Sequence, residues 1–158
     1  MLKNGIIRTF DNAEVEYESF MNTLKKLNSE GLDLYIGTDS QVLKDRISIA
    51  TCICFYKPGV SENKIFYIKN KLSKERYPTL RSRMLLEAYR SLEAALELDP
   101  YINGKLTVHL DIGSDLKKNK TAKFNKELKI LVESQGFGCE IKPNSWASTS
   151  IADRFTKS

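Results

Sequence analysis

The 158-residue chain has one histidine, four prolines and three cysteines, and these scarcities exclude several function classes. His109 alone cannot build a zinc site of ordinary spacing, and Cys52, Cys54 and Cys139 form no C-x-x-C pair. All three cysteines fall in apolar, strand-like runs, so buried reduced thiols are expected. No apolar run approaches the roughly 20 residues of a membrane span, and the N-terminus lacks a signal-peptide pattern. A cytoplasmic protein is the expectation. Internal repeats, low-complexity stretches and linkers are also missing, and the length fits one domain over residues 1–158. With 41% hydrophobic and 28% charged residues the chain is globular in balance, which excludes a disordered one.

The net charge of +5 decides nothing by itself, because a solvated surface accounts for it as well as a polyanionic partner does. Its distribution says more. Lys117, Lys118, Lys120, Lys123 and Lys126 crowd into ten residues without an acid among them. Contact with nucleic acid is the expectation there, and a plain solvated helix face is the alternative.

Periodicity predicts a first helix from Asp11 to about Asn28, stopped by Ser29-Glu30-Gly31. Residues 32–38 read as a buried strand running into Asp39-Ser40-Gln41. Residues 46–56 and 64–70 complete an antiparallel meander around the Pro58-Gly59 turn. A long helix follows from about Pro78 to Leu98, then a strand over 105–112, a helix from about Thr121 to Ser134, a short strand over 137–142 and a last helix from Ser148 to about Thr156. Three strands followed by alternating helix and strand predict an α/β fold. Its five-stranded mixed sheet is antiparallel first and parallel later, with helices on its faces. Residues 1–31 then form an N-terminal helical extension on a core of 32–157.

Four carboxylates stand out. Asp39 sits at the C-terminal end of a buried strand, where open α/β sheets place their ligands, and taken alone it reads more readily as a turn aspartate in Thr38-Asp39-Ser40. Asp111 is bracketed by Leu110 and Ile112. Unpaired burial there costs several kcal/mol or forces protonation, so it needs a partner or a metal. In the long helix, at about 100° per residue, Leu80, Met84, Ala88, Ser91 and Ala95 fall within roughly an 80° arc. Glu87 lies on the margin of that arc, while Glu93 and Glu97 point away. An ion pair with Arg83 or Arg90 is the alternative for Glu87. Asp153 lies in the last helix, where it can equally be a first-turn acid boxed with Ser150.

The element order is similar to that of ribonuclease H-like proteins, in which strands one and four are neighbours. Their ends would bring Asp39 and Asp111 together, with Glu87 and Asp153 supplied from flanking helices. Four converging carboxylates repel unless cations sit among them, and oxygen-only ligation selects Mg²⁺ or Mn²⁺.

Three segments carry a closer resemblance: Tyr35-Ile36-Gly37-Thr38-Asp39-Ser40-Gln41, Val108-His109-Leu110-Asp111, and Lys142-Pro143-Asn144-Ser145-Trp146-Ala147-Ser148 continuing through Ile151-Ala152-Asp153-Arg154-Phe155-Thr156-Lys157. They resemble the YkuK-like proteins, small bacterial members of the ribonuclease H-like superfamily, over about residues 32–157. The resemblance implies the fold and an acidic site of Asp39, Glu87, Asp111 and Asp153. It supplies no substrate. The loop histidine of ribonuclease H proper has no counterpart, because His109 sits in a strand and reads as a core residue. The leading expectation is a nuclease using two Mg²⁺ or Mn²⁺ ions on RNA, RNA–DNA hybrid or structured DNA. A non-catalytic nucleic-acid-binding or assembly module is the second. An actin-like ATPase with a phosphate loop at Asp111-Ile112-Gly113-Ser114 ranks last, because such enzymes close two domains around nucleotide.

Overall fold

A computed structural model describes residues 1–113, 115, 117 and 119–157. Its centre is a strand pair that the sequence makes unavoidable. β3 (Asp33–Val42) and β4 (Ile47–Tyr56) pair antiparallel over their full lengths, from Asp33 opposite Tyr56 to Val42 opposite Ile47. Every residue of β4 except Tyr56 is buried, which is why the run ISIATCICF shows no polar alternation. β5 (Lys64–Leu72) pairs antiparallel on the far side of β4. β6 (Leu106–His109) runs parallel to β3, and β7 (Gly138–Glu140) runs parallel to β6. The expected neighbour relation of the first and fourth core strands is therefore present.

Two further strands lie before this core. β1 (Ile7–Thr9) and β2 (Glu14–Val15) form a hairpin, and β1 joins the edge of β5, giving a seven-stranded sheet in the order β2-β1-β5-β4-β3-β6-β7. This corrects two expectations: the sheet has seven strands, and the first helix does not begin at Asp11. Asn12 takes a left-handed backbone at φ 72°, turning the chain, and Val15 is paired with Ile7. Helix α1 starts only at Tyr17 and ends at Ser29 (Tyr17–Ser29). It buries Phe20, Met21, Leu24 and Leu27 on one face.

Helix α2 (Leu80–Leu98) is opened by a reciprocal cap in which Thr79 accepts from the Ser82 amide and Ser82 from the Thr79 amide. It buries Met84, Ala88, Ser91 and Ala95 of the predicted arc together with Glu87, and leaves Leu80 half-buried. Helix α3 (Asn125–Glu133) follows a 3-10 turn at Ala122–Phe124. The chain closes with a π-helical stretch, Ala147–Ala152, leading into the short α4 (Asp153–Phe155).

The two faces of the sheet are covered unequally. One carries a large apolar core built by α1, α2 and α3, with Phe20, Leu24, Leu34, Ile36, Ile53, Phe55, Leu92 and Val132 among its members. The other holds a small cluster of Cys52, Cys54, Tyr67, Ala147 and Ala152, covered by the C-terminal helical segment. The three cysteines are free and buried. Among the described residues no helix is long and apolar enough to cross a membrane.

A candidate acidic site at the end of β3

The register of the sheet creates an open corner. β6 stops at His109, opposite Gly37, while β3 continues to Val42. From Thr38 onward β3 is paired only with β4. Asp39 lies in this overhang, opposite Ala50, so it sits inside a strand and not in a turn after one. Asp111 lies two residues beyond the end of β6, where the pairing with β3 has ended but the chain stays hydrogen-bonded to β7 and the segment after it, and so does not end a strand as expected. Strand propensity alone could not reveal this, because the apolar run continues through the buried Leu110 and Ile112.

Side chains alternate across a strand, so Ser40 and Asp39 address opposite faces. Ser40 turns toward α2, where its amide and hydroxyl both donate to Glu87 Oε2, at 2.9 and 2.5 Å. That settles the alternatives for Glu87. It is 5% exposed, and Ser40 occupies its carboxylate, while Arg83 donates to the Tyr77 carbonyl. Thr38 adds a second tie, its hydroxyl lying 2.7 Å from Ser91 on α2 and 3.0 Å from Thr51 on β4.

Asp39 turns toward the thin face, where Gly37 decides the geometry. A Cβ at Gly37 would lie 2.4 Å from the Ser148 amide nitrogen, a distance real side chains do not tolerate. Glycine therefore lets the π-helical stretch lie directly on β3. Two further contacts fix that stretch. The Ala147 amide donates to His109 Nδ1 at 3.0 Å, and the Trp146 ring meets Tyr35, His109 and Tyr56 at centroid distances of 5.0, 5.0 and 5.7 Å. His109 is thus a packed core residue that positions the segment. Burial lowers its pKa to about 4, so it stays neutral and can accept. The segment brings Asp153 close enough to Asp39 to act on its ionisation. Asp153 opens α4 behind the π-helical stretch, so it is neither at the start of the helical segment nor capped by Ser150.

Asp39 is the hub of the four acids. It is 7% exposed, and its pKa is raised to about 9 by burial, then by the charges of Glu87 and Asp111, then by its bond and charge interaction with Asp153. Glu87 is raised to about 8 by burial and by Asp111, against the opposing hydrogen bonds from Ser40 and the charge of Arg83. Lys142 Nζ lies 3.1 Å from Asp111 Oδ1 and forms an ion pair with it. On the outer side Lys157 lies 3.5 Å from Asp153. The four carboxylates are adjacent but not closed: among the described residues, no three acids, histidines or cysteines approach closely enough to hold one ion together.

Ser40 and Lys142 are the functional candidates that residue patterns missed. Lys142 was visible only as part of the tail motif, and nothing in the sequence announced its reach to Asp111. Of the lysine-rich segment, Lys118 lies outside the described residues, and Lys117, Lys120, Lys123 and Lys126 are exposed. Lys117 and Lys120 precede the helix and Lys123 lies in the 3-10 turn, so only Lys126 belongs to α3.

A family model described as ribonuclease H-like matches residues 16–157. The Bacillus subtilis (strain 168) protein named "Uncharacterized protein YkuK" is 30% identical over 177 aligned positions, covering 99% of this chain and 100% of that one.

Proposed function

The chain belongs to the ribonuclease H-like family, and on that premise we propose that it is a divalent-metal-dependent nuclease cutting phosphodiester bonds in RNA, RNA–DNA hybrid or structured DNA. What supports this reading is that Glu87, Asp111 and Asp153 all lie near enough to the buried Asp39 to act on its ionisation. Such an arrangement is costly for stability alone, since like charges at low exposure force protonation. The donor chemistry suits a hard cation: four carboxylates, with no nitrogen or sulfur ligand required. Asp39 and Asp111 would hold Mg²⁺ or Mn²⁺, with Glu87 and Asp153 contributing from the two flanking helical elements.

Bound metal supplies an activated water and neutralises charge on the leaving oxygen. The protein's own groups do the rest. Ser40 fixes the Glu87 carboxylate, so one acid stays pre-oriented at the buried end of the site. Lys142 holds a positive charge beside Asp111 and can shift to a phosphate oxygen when a cation takes its place. Exposure rises from Glu87 and Asp39 to Asp111 and Asp153, so a strand reaches the site from the Asp153 side. The lysines from Lys117 to Lys126 are proposed to carry backbone phosphates, in keeping with a cytoplasmic nucleic-acid partner.

A second reading, a binding module without turnover, draws on the open spacing of the acids and the Lys142–Asp111 pair. One experiment separates them. The purified protein is offered single-stranded, duplex, hybrid and branched substrates with Mg²⁺, Mn²⁺ or EDTA. The nuclease reading expects cleavage that needs metal and stops in EDTA. Binding without cleavage of any substrate would replace it with the module.

A further inference from the structure

The β1–β2 hairpin lies outside the family-matched residues apart from its connection to α1, and it creates a surface that the shared core does not have. Between this hairpin and the C-terminal helical segment runs a groove of about 430 Å³ lined by Arg8, Asn12, Tyr67, Lys69, Arg154 and Phe155. Three of the six are cations and none is an acid. Arg8 and Arg154 are held in place by their neighbours, Arg8 also through an ion pair with Glu14 at 3.3 Å. Tyr67 and Phe155 stack at 3.8 Å and 11°, and the Tyr67 hydroxyl donates to the Asn12 side chain. The Arg154 guanidinium lies 4.5 Å over the Phe10 ring, and Arg8 donates to the Asn12 carbonyl at 3.2 Å. Lys71 and Arg46 stand close enough to Lys69 to act on its charge, so the positive field continues past the groove.

The register places this groove relative to the acids. Asp39 is opposite Ala50, and Ala50 is opposite Lys69, so the two side chains occupy one row on the same face of the sheet. Two strand spacings separate them, about 10 Å, or roughly three nucleotide rises along one strand of a duplex. Ala50, itself fully buried, stands between them. Because the aromatic faces are spent on each other, the groove offers charge and hydrogen-bond donors with no open ring for a base.

We propose that this groove is a second nucleic-acid contact, binding the phosphodiester backbone of the strand whose neighbouring bond is presented to Asp39. The inference rests on the nuclease reading for its orientation and not for its chemistry. It expects recognition without sequence preference, since phosphates position a strand and do not identify it.

The test is binding of fluorescein-labelled uridine and thymidine 12-mers in EDTA, where nothing can be cut, across a salt series. Neutralising two phosphate contacts, in Lys69→Gln with Arg154→Gln, should weaken both 12-mers about tenfold or more. It should also reduce the slope of log affinity against log salt by about 1.4, at about 0.7 per contact on a single strand. The charge-preserving pair Lys69→Arg with Arg154→Lys should keep the parental slope, with unchanged melting curves in both variants. Parental binding by the neutralised pair overturns the proposal. So does a charge-preserving pair as weak as the neutralised one, because the cations would then be structural. Competition by inorganic phosphate or a mononucleotide at the 12-mer's own concentration also overturns it, in favour of a small-anion pocket. A parent that binds neither 12-mer does the same. The two readings fail separately: weakened binding in the neutralised pair with no cleavage by the parent sinks the nuclease and leaves the groove. Metal-dependent cleavage whose KM is untouched by the neutralised pair does the reverse.

Discussion

The two faces of the sheet differ in what they ask of their residues. Under α1, α2 and α3, side chains are large, apolar and interchangeable in chemistry, and their work is burial. Under the C-terminal helical segment the layer is thin, and each residue there has its own role. Gly37 gives clearance, neutral His109 accepts a hydrogen bond, Trp146 wedges against the sheet, and Asp153 is delivered to Asp39. The thick face stabilises the fold and supplies Glu87 from α2, and the thin face carries Asp39 and Asp153.

Breaking the thick face should give the largest loss. Phe20 is fully buried and meets Phe66 edge to face at 5.1 Å, so Phe20→Ala should cost about 3–5 kcal/mol in urea unfolding. A loss below about 1 kcal/mol would mean that this face is not the stabilising one. Gly37→Ala probes the thin face and should cost less, about 1–3 kcal/mol, because the Ser148 backbone must retreat from the new methyl. Its sharper signature is functional. Mn²⁺ should raise the parent's melting temperature, as any ligand of the native state does, and Gly37→Ala should blunt that rise by moving Asp153 away. Equal metal stabilisation of both proteins would detach the helical segment from the site.

The last expected change is gradual, a slope of about 1.4 kcal/mol per pH unit for each proton involved. Folded Asp39 keeps its proton up to about pH 9, whereas the unfolded group loses it near 3.8. The folded state therefore binds more protons across that window, and metal-free stability falls as pH rises through it. Glu87 acts in the same direction between 4.5 and about 8. His109 opposes them: its contribution is complete above 6.5 and is lost as pH falls through about 4. Urea midpoints without metal should thus drop between pH 6.5 and 9, and Asp39→Asn should flatten the drop. A parental slope in the variant would remove Asp39 from the hub.

What was legible in the sequence follows the same division. The thick face announces itself by periodicity, since Phe20, Leu24 and Leu27 on α1 and the arc of α2 are apolar residues at helical spacing. The mixed sheet was likewise readable from element order, and the adjacency of its first and fourth core strands followed from the similarity to ribonuclease H-like proteins. The hairpin before α1 was not, because two- and three-residue strands are too short to show alternation, and Asp11 resembles a helix cap. All four acids could be singled out, Glu87 by its place on the helix arc. Their partners could not, because Ser40, Lys142 and the clearance at Gly37 depend on contacts between segments far apart in the chain.

The central claim is that the acids gathered around Asp39 perform metal-dependent cleavage, and a matched pair of isosteric changes tests it most directly. Asp39→Asn preserves size and hydrogen bonding at the hub, while Glu93→Gln makes the same kind of change at an exposed position of α2. On the substrate that the parent cuts best in Mg²⁺, Asp39→Asn should lose cleavage while keeping its fold and its nucleic-acid affinity, and Glu93→Gln should cut like the parent. Parental cleavage by Asp39→Asn would contradict the account.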